Sequence, residues 1–162
     1  MGKSSDILIR EATAEDVPII LNFIKELAKF EKLSHLIEAN GGKLRLTLFG
    51  KKPVAKVLIA EIRSKAVGFL LYFYNYSTFV GQPGIYIEDL YVNPKYRKKG
   101  VGKTLMKNCV KIAKELGFKR VEWAALNWNP ARKFYEKLGA LPLNDWVLYR
   151  LSGKKLKELA DS

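Results

Sequence analysis

Cysteine and histidine are almost missing from this chain of 162 residues, which holds one of each. A single thiol excludes an internal disulfide framework and any zinc site built on several thiolates. A single imidazole leaves no cluster for a transition metal, so no metal is expected. Long apolar runs are missing as well. None approaches the roughly 20 residues that cross a bilayer, and the opening stretch MGKSSDILIR lacks a signal-peptide core. The expected compartment is therefore the cytoplasm, with no membrane partner. Acidic residues are scarce: 16 Asp+Glu stand against 29 Lys+Arg, a formal charge of +13. Apolar residues are plentiful, at 48% with 12% aromatics. That content excludes a disordered basic tail and predicts one domain over residues 1–162.

The positive charge is uneven. Residues 1–81 carry 12 basic and 8 acidic side chains, and the remainder carries 17 and 8. The densest stretch holds Lys95, Arg97, Lys98, Lys99, Lys103, Lys107, Lys111 and Lys114 with no acid among them. Such a field attracts polyanions: a nucleic acid, a phosphorylated cofactor or an acidic membrane surface. The lysines at helical spacing read equally well as a solvated helix face. The Arg97-Lys98-Lys99 cluster before two glycines does not.

Hydrophobic periodicity predicts the order of elements. Ile7 to Glu11 reads as a short strand, and Thr13-Ala14-Glu15-Asp16 as a capped helix start. Val17, Ile20, Leu21, Ile24, Leu27 and Ala28 then recur at helical spacing up to about Phe30. A second helix is expected around Gly41-Gly42. Val54–Ile62 and Ala66–Tyr76 read as strands of a hairpin turning at Arg63-Ser64-Lys65. Gly81-Gln82-Pro83-Gly84 reads as a turn before a third strand, Ile85–Val92. Lys103–Leu116 reads as a helix stopped by Gly117. A strand Arg120–Leu126, a short helix Pro130–Leu138, a last strand Trp146–Leu151 and a terminal helix Ser152–Leu159 complete the list. The fold class is α+β: a mixed, mostly antiparallel sheet flanked by helices.

Chemistry concentrates where the third strand meets the following helix. Glycines between a strand end and a helix start let backbone N–H groups converge on an anion, and the helix dipole favours it. Arg97, Lys98, Lys99 and Lys103 add full charges at the same place, so a pyrophosphate is the natural occupant. A nucleotide P-loop would need glycine at position 97, which is Arg97. A dinucleotide fingerprint would need a third glycine where Leu105 stands. What remains is R-x-x-G-x-G opening a helix, after a strand that carries the paired carboxylates Glu88 and Asp89.

That pattern, following Leu-Tyr-Val-Asn-Pro, resembles the acetyl-CoA-binding signature of the Gcn5-related N-acetyltransferases, the GNAT superfamily. The segment from Asn129-Pro130-Ala131 through Phe134-Tyr135 to Gly139-Ala140 is similar to a later element of the same superfamily. Within it, Ile24 to Glu31, Tyr86 to Val92 and Trp128-Asn129 resemble the spermidine/spermine branch, whose members are also called diamine or thialysine acetyltransferases. The resemblance implies the GNAT fold and an N-acetyltransferase that moves the acetyl group of acetyl-CoA to a primary amine by direct attack in a ternary complex. The acceptor would be a diamine, polyamine or lysine analogue.

It also implies roles. The backbone of Leu90, Tyr91 and Val92 would carry the pantetheine arm, between strands that splay apart. Residues Arg97, Lys98, Lys99, Gly100, Val101, Gly102 and Lys103 would hold the diphosphate, and Asn129 the pantetheine. Tyr135 matches the general acid that protonates the coenzyme thiolate, and Glu88 the carboxylate that draws the amine proton. Strand alternation puts Asp89 on the opposite face from Glu88, where a structural hydrogen bond is expected. Phe30 and Glu31 match a Tyr-Glu pair facing the amine, with Glu88 nearby. The stretch after Glu31 is basic where polyamine enzymes are acidic, so spermine is not favoured over a smaller amine. The resemblance further implies a homodimer, with Trp146–Leu151 as a candidate contact. A protein or peptide acceptor, or a basic nucleic-acid-binding protein without enzymatic activity, are the alternative readings; nucleic acid is not the expected partner. His35 reads as a loop residue, Cys109 as core, and Tyr72, Phe73, Tyr74 and Tyr76 as sheet packing.

Overall fold

A computed structural model describes residues 7–162; residues 1–6, which begin the stretch read as lacking a signal-peptide core, lie outside the described residues. The described residues up to Ala124 form one compact unit and Ala125–Ser162 a second. The first holds β1 (Ile7–Glu11), α1 (Val17–Phe30), α2 (Gly41–Phe49), β2 (Lys56–Ile62), β3 (Lys65–Ser77), β4 (Gln82–Val92), α3 (Val101–Glu115) and β5 (Val121–Trp123). The second holds α4 (Ala131–Lys137) and α5 (Gly153–Ala160). The sheet runs β1-β2-β3-β4-β5, antiparallel except for the parallel pair β4–β5. The α+β class with a mixed, mostly antiparallel sheet is thus observed.

Local chemistry explains the joints. Arg63 and Ser64 both sit at left-handed φ, 51° and 58°, and Ile62 pairs directly with Lys65. Such a two-residue turn matches the twist of the flanking strands. The next turn falls earlier than the sequence predicts. It occupies residues 78–81, with Gly81 at φ 72° and its N–H donating to the Ser77 carbonyl at 2.8 Å. Gln82, Pro83 and Gly84 already belong to β4. Pro83 is tolerated there because β5 pairs only further along, so no ladder bond is lost on the outer side.

The two faces of the sheet take different helices. Val17, Ile20 and Phe23 of α1, with Leu44 and Leu48 of α2, pack on Val57, Ile59, Phe69, Leu71 and Tyr91. Phe23 stacks 5.6 Å from Phe69 and meets the tilted ring of Tyr91 at 5.4 Å, centroid to centroid. Each such burial is worth about 1.5–3 kcal/mol. Alternation sends Leu58, Leu70 and Tyr72 to the other side, where α3 buries Val101, Leu105, Met106, Cys109 and Ala113. Gly68 lets β3 and β4 approach: a Cβ there would stand 2.6 Å from the Tyr91 carbonyl oxygen.

Two expected strands are corrected. Residues 120–126 form a strand only over Val121–Trp123. Residues 146–151 form none; among the described residues they enter no ladder, and Trp146, Val147, Leu148 and Tyr149 are exposed. Their apolar, β-branched composition suits a strand, but backbone groups form one only when a partner supplies the other half of each bond.

Candidate active site

Strand β4 changes phase in its middle. Leu71 of β3 pairs with Asp89 and Tyr72 with Ile87, so Glu88 is an extra residue, a β-bulge. Ile85 and Ile87 share a face with Tyr74 and Tyr72, towards α3, whereas Asp89 and Tyr91 share a face with Leu71 and Phe69, towards α1. The structural hydrogen bond expected for Asp89 is not observed. Simple alternation fails at the bulge, and the Asp89 side chain has no hydrogen-bond donor among the described residues. It is half-buried, and its carboxyl is pushed up to about 7 by loss of hydration, then by the charges of Glu88 and Glu31. Glu88 itself is exposed.

Glu31 follows the last turn of α1, its N–H closing on the Leu27 carbonyl at 2.9 Å. Burial moves its carboxyl above the ordinary range. Phe30 beside it carries the guanidinium of Arg97, 5.1 Å from the ring centroid. Arg97 Nε also donates to the Val92 carbonyl at 3.0 Å, clamping the loop to the end of β4. The structure thus brings Phe30, Glu31, Glu88, Asp89 and Arg97 together around the end of β4. Asp89 is the residue that sequence reasoning passed over. Its signal was the adjacent pair of carboxylates on one strand, which alternation appeared to separate.

The edge of β4 opens at the same point. Parallel pairing with β5 stops at Ile87 and Trp123, leaving residues 88–92, including Leu90, Tyr91 and Val92, without a neighbour on that side among the described residues. Half of the backbone groups of such an edge point outward and need a partner. Beyond Val92, Asn93 caps a 3₁₀ turn by accepting from the Lys95 N–H at 3.0 Å. Lys98 and Gly100 take left-handed φ, 61° and 87°, and α3 starts at Val101. Its first N–H groups, at Val101, Gly102 and Lys103, have no carbonyl in the helix to serve. Lys98, Lys99 and Lys103 are exposed around them.

In the second unit, Asn129 Oδ1 accepts from the Ala131 N–H at 2.9 Å, so it caps α4. Tyr135 is half-buried on α4, its ring 5.3 Å from that of Phe134. Of the remaining candidates, His35 is exposed in a 3₁₀ turn, and Cys109 is buried with its thiol pushed up to about 12 by burial. Tyr72 is buried, Tyr74 and Tyr76 are exposed, and Phe73 packs 5.2 Å from Tyr86. Among the described residues no group of three or more His, Cys, Asp or Glu could hold a metal ion. No described helix is long and apolar enough to cross a membrane.

Comparison with known proteins agrees with this geometry. The chain is 38% identical to thialysine N-epsilon-acetyltransferase of Bos taurus, over 95% of this chain and 97% of that one. It is 34% identical to an L-ornithine N5-acetyltransferase of Arabidopsis thaliana, over 93% and 86%. An integron cassette protein from the mobile metagenome of V. cholerae superposes with a TM-score of 0.80 at 29% identity, covering 99% of this chain and 100% of that one. The model of the acetyltransferase (GNAT) family matches residues 23–140. With its β4 edge open beside β5 and its glycine loop at the start of α3, the chain belongs to the GNAT family of acetyltransferases.

Proposed function

We propose that the chain moves the acetyl group of acetyl-CoA to the primary amine of a small molecule, a diamine or a basic amino acid of the thialysine or ornithine kind. One observation carries this reading: the unpaired edge of β4 runs directly into the left-handed Gly100 and the first turn of α3. Outward N–H and C=O groups of Leu90, Tyr91 and Val92 suit the amides of a pantetheine arm. Free N–H groups at Val101, Gly102 and Lys103, with the Lys98 side chain, suit the diphosphate that follows it. By the family motif it carries, Asn129 is assigned to the same arm.

The acceptor end is anionic within a protein of charge +13. Glu31, Glu88 and Asp89 couple electrostatically there, which favours a short cation over a long polycation. An alkylammonium has a pKa near ~10.4 and attacks only after losing a proton. Glu88 takes that proton, with Asp89, whose carboxyl lies near neutrality, holding the amine beside it. Attack of the amine on the thioester carbonyl forms the amide and releases a thiolate, to which Tyr135 gives its phenolic proton. No covalent acyl-enzyme is required, so the reaction runs in a ternary complex.

An acceptor panel read by thiol release from acetyl-CoA tests the proposal. Thialysine, ornithine and short diamines should turn over with kcat/KM at least tenfold above spermine and above peptides. Preference for a peptide would refute the small-molecule reading. A cytoplasmic homodimer completes the proposal; the exposed apolar residues Trp146, Val147, Leu148 and Tyr149 support a contact between copies, which sedimentation would detect.

A further inference from the structure

A cleft of about 400 Å³ opens between the β2–β3 hairpin and the loop before α3, lined by Ile62, Arg63, Lys65, Tyr96 and Lys99. Among the described residues that line it, three of five are cations and none is an acid. The tight turn puts Arg63 at the hairpin tip and Lys65 at the start of β3, paired with the buried Ile62. Across the cleft the Lys99 ammonium stands 5.2 Å from the centre of the Tyr96 ring. Arg97, in the same loop, is committed elsewhere, to Phe30 and the Val92 carbonyl. The loop therefore sends one cation to the end of α1 and another towards the hairpin.

No described carboxylate neutralises these charges. Lys111, Arg120, Lys154 and Lys155 all make ion pairs, but among the described residues Arg63, Lys65 and Lys99 make none. Cations gathered around one small volume repel each other unless an anion enters. The volume suits a small-molecule ligand, with Ile62 as an apolar wall and the Tyr96 phenol as a further donor. A phosphate ester, carrying between one and two negative charges at neutral pH, matches the set better than a carboxylate does.

We propose that this cleft binds the phosphate group of a small molecule, apart from the β4 edge assigned to the pantetheine arm. The phosphate could come from a free phosphorylated metabolite or from the 3′-phosphate of coenzyme A, and the experiment separates these. Tripolyphosphate is titrated calorimetrically into the wild type and the Arg63→Gln/Lys65→Gln double variant, with and without saturating coenzyme A. Affinities for coenzyme A and 3′-dephospho-coenzyme A are measured in parallel, and circular dichroism confirms that the exposed hairpin variant is folded. Tripolyphosphate should bind the wild type, and the double variant should bind it roughly tenfold or more weakly through loss of two charge-assisted contacts. Binding that persists under saturating coenzyme A identifies a free phosphorylated ligand. Displacement by coenzyme A, with loss in the variant of the preference for coenzyme A over its dephospho form, identifies the coenzyme's own phosphate. Absence of saturable binding, equal binding by both proteins, or displacement without that loss of preference overturns the proposal.

Discussion

Replacing Asp89 by Asn should stabilise the protein while impairing it as a catalyst, and the stabilisation should depend on pH in a defined way. The Asp89 carboxyl moves from its ordinary 3.8 to about 7 because folding strips its hydration and sets Glu88 and Glu31 near it. Between those two values the folded chain keeps a proton that the unfolded chain has released. Stability contributed by this group therefore falls as pH rises from 4 to 7, and the full cost persists above 7. At roughly 1.4 kcal/mol for each pH unit, the cost reaches about 4 kcal/mol at pH 8. Asparagine is neutral throughout and escapes it. Urea unfolding should show Asp89→Asn close to wild type at pH 4 and about 4 kcal/mol more stable at pH 8, on the order of 10 °C in Tm. Turnover of the amine acceptor should fall in the same variant. A stability difference that is constant between pH 4 and 8 would refute the reasoning.

Tyr135→Phe should lower kcat by about 10²-fold or more while leaving the affinity for coenzyme A within a factor of about two, as equilibrium binding would show. Glu88→Gln should flatten the rising limb of the pH–rate profile; an unaltered limb removes Glu88 as the base. Arg10 donates to both oxygens of Asp16 at 2.7 and 2.8 Å and to Glu61 at 2.8 Å, and holds the Asp16 carboxyl below its usual range. Arg10→Ala should cost about 2–3 kcal/mol at pH 7, and the difference from wild type should shrink as acid titrates the Asp16 carboxyl. Gly100→Val places a β-branched residue at φ 87° and should cost about 1–2 kcal/mol of stability and raise KM for acetyl-CoA; unchanged values would show that the loop relaxes.

Much of the frame was legible because it rests on local chemistry. The apolar stripe from Val17 marks α1 and its end near Phe30, and Gly100 and Gly117 bracket α3. The hairpin at Arg63-Ser64 follows from two apolar runs with a short polar gap. The turn near Gly81 falls earlier than expected because Pro83 reads as a breaker, whereas a proline in a strand paired on one side only loses no ladder bond on the other. Residues 146–151 show the limit of composition: β-propensity describes fit to a sheet, and no ladder takes them in. The loop cations, Phe30 and Glu31 are singled out by motif alone, and the structure sets Phe30 and Glu31 beside Arg97 and the β4 carboxylates. The bulge that separates Asp89 from the face of Ile87 is one skipped pairing, visible only when two strands are aligned.

The bare side of β4 has a consequence for donor selectivity. A ligand arm that bonds to Leu90, Tyr91 and Val92 stands in for a strand that the sheet never completes, so binding should resemble the annealing of a peptide to an edge. Amide exchange at these three residues should slow on donor binding far more than at Ile85 or Ile87, which β5 already protects. Affinity would then reside in the shared arm and not in its cargo, so propionyl and butyryl thioesters should bind nearly as well as acetyl and differ chiefly in turnover.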